Sequence, residues 1–138
     1  MEQEDKELLL RDLCARLPYG VKVKTNNINI LKLGTHTRVG EYVTDVTEPC
    51  KPYLFPISSM TEEQTEKVHN LIYQGVSESI EETKEWLKTR KENELRPITL
   101  TYILSYTLVI DWFCKNHFDY RGLIPMGLAI DCTNLNIY

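Results

Sequence analysis

The sequence predicts an α+β fold, on three observations. Apolar residues recur at helical spacing from Gln3 to Leu17, and the period switches to two between Val21 and Leu33. A stretch with three prolines, Glu48 to Pro56, then separates this β-rich part from a carboxyl half of helical character. The expected architecture is an N-terminal helix, a small antiparallel three-stranded sheet, a Pro-rich crossover and a helical C-terminal half, in a single domain of 138 residues. Residues 1–47 hold the helix and a β-meander, residues 48–60 the crossover, and residues 61–138 the mainly helical half.

The first helix rests on Leu9, Leu10, Leu13, Cys14 and Leu17, which share one face at three- and four-residue steps, with Cys14 as a small buried hydrophobe. Pro18 and Gly20 stop it. Val21-Lys22-Val23-Lys24 and Ile28 to Leu33 alternate around an Asn26-Asn27 turn, and Val39 to Val46, with Tyr42 and Val43 apolar, is the third strand candidate. The apolar face of this meander is expected to pack on the first helix. The Pro-rich stretch is expected to be neither central strand nor helix, because proline lacks the amide donor and restrains its predecessor. Tyr53, Leu54 and Phe55 anchor it.

Thr61 and Gln64 form a capping box, and Val68, Leu71 and Ile72 supply an apolar stripe up to a stop at Gly75. Ser79 with Glu82 offers a second cap, for a mostly solvated helix carrying Thr83, Trp86, Leu87 and Arg90. Residues 98–103 read as strand or helix; Leu104, Leu108 and Trp112 decide for a helix from Thr101 to His117, with Asp111 and Lys115 as an i,i+4 pair. Gly122 to Asp131 reads as a short helix or turn, and Thr133 to Tyr138 as a strand or tail.

Composition bounds the function. Hydrophobic residues at 42% and charged residues at 26% are those of a globular protein, and a net charge of −4 gives no global attraction to nucleic acid or anionic lipid. The acidic start, Met1 to Lys6, is unlike a signal peptide, and the longest apolar run, Ile98 to Cys114, is too short and too polar to span a bilayer. Cys14, Cys50, Cys114 and Cys132 are far apart, with no Cys-x-x-Cys pair. They imply reduced thiols in the cytoplasm rather than zinc or disulfides.

No reaction motif is present. Gly122 and Gly127 lack the following Gly-Lys-Ser/Thr of a phosphate loop, and His36, His69 and His117 have no metal-ligand spacing. Cys114 and His117, three apart, are a weak nucleophile–base pair, and Glu62-Glu63 and Glu81-Glu82 are helix-start charges. His117 at a helix carboxyl end is expected to have its proton favoured by the dipole. No cofactor and no metal site is expected, and the reading leans away from an enzyme.

Two candidates remain. Between Leu17 and Gly40 stand Lys22, Lys24, Lys32 and Arg38 with no acid, a local positive patch suited to phosphates. The competing account, which the sequence favours, is that lysines on a short exposed strand block edge-to-edge association. The turn His117-Phe118-Asp119-Tyr120-Arg121 offers an arginine fork framed by aromatic rings. It is either a binding site or an internal clamp tying the helix end to the first helix or the Pro-rich stretch.

Three pieces, LRDLCARLPYGVKV from Leu10, KPYLFPISSMTEEQ from Lys51 and DWFCKNHFDYRGLIPMGLAIDCTNLNIY from Asp111, resemble small proteins of phages, prophages and mobile elements of gut Bacteroides. They cover somewhat under half of the chain, in order. The resemblance implies a bacterial or phage cytoplasmic setting and brings no activity, ligand or catalytic residue. The expectation is therefore a non-enzymatic accessory protein that binds a host or phage macromolecule, a protein before a nucleic acid. A nucleic-acid-binding module using the basic strand and a nucleotide binder or sequestering protein using His117, Tyr120 and Arg121 are the alternatives. No membrane partner is expected, and a homo-oligomer is compatible with the reading.

Overall fold

A computed structural model describes residues 2–44, 48–73, 84 and 100–138, and it has the expected α+β class. Helix α1 spans Gln3–Arg16 and runs into a 3-10 turn, Leu17–Tyr19, that Gly20 ends in the left-handed region at φ 67°. Strands β1 (Lys22–Lys24) and β2 (Leu31–Lys32) form the predicted hairpin, with Lys22 opposite Lys32 and Val23 opposite Leu31. Thr25 closes its turn, its hydroxyl accepting from the amides of Asn27 and Ile28.

Two expectations fail at the third strand. Val39 to Val46 is not a strand: Gly40–Val43 is a single turn of helix, α2, whose Val43 enters the core, and residues 45–47 lie outside the described residues. The strand comes instead from the Pro-rich stretch, as β3 (Lys51–Leu54), and it is central. The sheet is four-stranded and mixed, in the order β2-β1-β3-β4, with β4 (Ile130–Asp131) parallel to β3. The expected three-stranded antiparallel sheet is corrected accordingly, with one short strand, β4, supplied by the mainly helical carboxyl half.

Pro52 survives in this strand for a geometric reason. It stands opposite Val23, and because it has no N–H it cannot form the pair that exchanges two ladder bonds; that pair is Lys24 with Lys51. Its nitrogen therefore turns to the other edge, where β4 pairs only from Tyr53 onward.

Beyond β3 the chain makes a 3-10 turn at Ile57–Ser59 and enters helix α3 (Glu62–Tyr73) through the predicted capping box. The Gln64 amide donates to the Thr61 hydroxyl at 3.2 Å, and the Thr61 amide to the Gln64 side chain at 2.9 Å. The stop at Gly75, the cap at Ser79 and, Lys84 apart, the helix after it lie outside the described residues. Helix α4 (Leu100–Lys115) settles residues 100–103 as helical and ends two residues before the expected His117. Asp111 accepts a hydrogen bond from the Tyr19 hydroxyl, tying α4 to the turn after α1.

The core has two parts. Leu9 and Leu13 of α1 pack on the inner face of the sheet (Val21, Val23, Leu33, Leu54) together with Val43, Cys50, Leu123 and Leu128. Val68 of α3 and Val109, Phe113 and Cys114 of α4 form the second cluster with Phe118 and Tyr120. All four cysteines are free thiols; Cys14, expected in the core, is exposed, because the helix face that turns inward carries Asp12 and Arg16 instead. No helix among the described residues is long and apolar enough to cross a membrane.

Candidate functional site

The two candidate clusters face opposite ways. The turn after α4 is spent inward. Helix α4 ends in a Schellman arrangement, with the Phe118 amide on the Phe113 carbonyl at 2.9 Å, the His117 amide on Cys114 at 3.3 Å, and His117 itself left-handed at φ 63°. The His117 carbonyl accepts the Phe55 amide and the Phe55 carbonyl accepts the Asp119 amide, both at 2.8 Å, so the turn extends β3 in the parallel sense. The buried Asp119 carboxylate then accepts the amides of Leu123 and Ile124 at 2.8 and 2.9 Å, which shapes the following loop.

Arg121 lies 4.9 Å over the Tyr120 ring with its Nε 3.4 Å from the Asp12 carboxylate. Asp12 also receives Arg16 Nε at 2.8 Å, and Arg16 donates to the Phe118 carbonyl at 2.6 Å. The side chains of Asp12 and Arg16 are wholly buried. One acid, Asp12, and two arginines thus join α1 to the turn in the internal clamp geometry. A buried arginine cannot shed its proton, so it must be paired where it lies.

His117 is not poised as an acid–base group. Its ring stacks on Tyr138 at 3.6 Å and 7°, and burial, then the charges of Arg16 and Lys22, pull its pKa down to about 4. The expectation that the helix dipole favours its proton is thereby reversed: desolvation outweighs the dipole. The Cys114 thiol is turned to the Tyr120 hydroxyl at 4.0 Å, and burial pushes its pKa up, opposite to what an activated nucleophile needs.

The outward cluster is the sheet. Alternate residues of a strand share a face, so Lys22 and Lys24 of β1 point the same way. Lys32 stands opposite Lys22 and Lys51 opposite Lys24, which brings four lysines to one face as two cross-strand pairs. Lys24, Lys32 and Lys51 are exposed. Lys22 is half-buried, with its ammonium on the Ile137 carbonyl at 2.7 Å and 5.5 Å over the Tyr138 ring. Among the described residues no carboxylate lies within ion-pair distance of any of the four. Ile30, two residues before Lys32, adds an exposed apolar side chain at the edge. Arg38 does not join them; it is beyond β2 and pairs with Glu41 at 3.7 Å.

Lys51 escaped the sequence reading because the prolines around it argued against a strand. The signal was available only as a basic residue flanking an apolar triplet. The Tyr138 contact was likewise hidden. Where β1 and β3 part, the Lys22 amide donates to the Tyr138 hydroxyl at 2.9 Å and that hydroxyl donates to the Tyr53 carbonyl at 2.8 Å, replacing one ladder bond.

The edge-protection account of these lysines is weakened by strand order. β1 and β3 are interior strands, so Lys22 and Lys24 guard no edge; Lys32 on β2 does, and Lys51 stands on β3 just before its first β4 partner at Tyr53. Like charges placed directly opposite each other destabilise a sheet; Lys22 is taken up by the Ile137 carbonyl and the Tyr138 ring, but the Lys24–Lys51 pair is a cost that the fold itself does not explain. No protein family, no curated protein and no solved structure matches the chain.

Proposed function

We propose that the protein is a binding protein whose docking face is the outer surface of the sheet, and that its ligand is the phosphate backbone of a nucleic-acid strand. The observation that carries the reading is the pair of lysine pairs, Lys22 with Lys32 and Lys24 with Lys51, on a sheet whose interior strands need no edge protection. Apposed ammonium groups are costly alone and favourable when phosphates lie between them and release their counterions. The order of partners is thereby changed from the sequence reading: nucleic acid comes before protein, because the clamp around Arg121 turns inward while the lysines turn outward. The accessory role in a mobile element and the bacterial cytoplasm, implied by the sequence resemblance, belong to the same proposal.

The test is fluorescence anisotropy with a labelled oligothymidine strand. Four phosphate contacts predict a slope of about −2.8 in log K against log salt, so a fourfold rise in salt weakens binding about 50-fold. Lys24→Ala with Lys51→Ala is expected to halve that slope to about −1.4. No binding at about 50 mM salt, or binding indifferent to both substitutions, overturns the reading and returns the partner to a protein.

A further inference from the structure

A groove of about 360 Å³ opens where the 3-10 turn after α1 meets the end of β2, lined by Leu17, Tyr19, Gly20, Lys32, Leu33 and Thr35. Lys32 belongs both to this groove and to the lysine face, so the two are continuous. We propose that the groove takes one nucleotide of the bound strand, its base against the Tyr19 ring and its phosphate on Lys32, and that the ligand is therefore single-stranded. The inference rests on the lysine face being the docking surface.

Size, charge and shape each constrain the occupant. The volume is at the small end for a small-molecule site and suits a single base with its sugar. Leu17 gives an apolar flank and Tyr19 an aromatic one, which a free π-face can use and a base paired within a duplex cannot reach. Charge sets the orientation. The Tyr19 hydroxyl is bonded to the Asp111 carboxylate, so a phosphate is repelled from that end and directed to Lys32 at the other. The Lys32 stem lies directly over Gly20, where an added Cβ would come within 2.6 Å of Lys32 Cε. Gly20 is required for its left-handed φ of 67°.

The experiment compares three probes of equal length, oligothymidine, an abasic strand and a duplex, on the intact protein and on Tyr19→Leu and Tyr19→Phe. The expected result is that wild-type protein binds oligothymidine at least about fivefold tighter than the abasic strand, the value of one aromatic–base stack. Tyr19→Leu is expected to erase that preference and Tyr19→Phe, which keeps the ring, to retain it. A 5-bromouracil strand is expected to photo-crosslink to the peptide containing Tyr19. Equal binding of thymidine and abasic strands by wild-type protein, or equal binding of duplex and single strand, overturns the groove assignment while leaving the lysine face intact. Because that comparison varies the ligand, it stands even if Tyr19→Leu misfolds. Absence of binding by every probe at low salt sinks the lysine face and the groove together.

Discussion

His117 occupies the left-handed region at φ 63°, a conformation that glycine adopts freely and that other residues enter at a cost of about 1 kcal/mol. The stack on Tyr138 offsets that cost and simultaneously shields the ring, and shielding is what lowers the pKa to about 4 from 6.5. The sign of the linkage follows. Between pH 6.5 and about 4 the unfolded chain binds the proton and the folded one does not, so stability is full above pH 6.5 and falls as the pH drops through this window. Below about pH 4 both states are protonated at this residue and its contribution flattens. His117→Asn, which tolerates the left-handed conformation, is expected to make unfolding free energy less dependent on pH across that window. Urea titrations at stepped pH measure it, and identical slopes in both proteins would contradict the assignment. No local sequence feature could have revealed this, because the shielding ring lies twenty-one residues on in the chain.

At the scale of elements, the legible features are those whose causes are local. The capping box at Thr61 and Gln64 is such a case, and its two reciprocal hydrogen bonds are both formed. Thr61→Ala is expected to destabilise the fold by about 1 kcal/mol, with Gln64→Ala adding less on top of it than alone, since each bond supports the other. A double-mutant cycle in urea measures this, and fully additive losses would mean that the two bonds act independently. Helix α1 and the β1–β2 hairpin were legible for the same reason: period and turn residues sit within a few positions of one another. The stretch from Val39 to Val46 reads as a strand because a single helical turn is too short to show a period, while its valines and Tyr42 carry strand propensity. β3 was missed because whether Pro52 is tolerated depends on which edge its nitrogen faces, and only the partners Val23 and Ile130 decide that. The lysine face shares this fate. Lys22, Lys24 and Lys32 were visible as a run, but Lys51 joins them only through the pairing of β1 with β3.

At the scale of the whole molecule, two hydrophobic clusters raise the question of whether they unfold together. The residues at their junction argue that they do. Asp12 and Arg16 leave α1 on the side between Leu9 and Leu13, which belong to the sheet cluster, and Ala15, which packs on the helical one. Arg121 and the Phe118 carbonyl meet them there, and the chain from Phe118 to Leu123 crosses from the second cluster into the first. Separating the clusters would strand a buried arginine, a half-buried one and one buried carboxylate, a penalty larger than either cluster's share of a marginal stability. Calorimetry is therefore expected to give one transition with equal calorimetric and van't Hoff enthalpies. Asp12→Ala, which leaves Arg16 and Arg121 beside each other with no carboxylate between them, is expected to cost about 3–5 kcal/mol and to lower the midpoint of that single transition. Asp12→Asn, which restores a hydrogen-bond acceptor without the charge, is expected to recover part of the loss. Two resolved transitions in the wild-type protein would mean that the clamp is a local contact between independently stable halves; a loss below about 1 kcal/mol for Asp12→Ala would mean that the arginines find water instead, as surface pairs do.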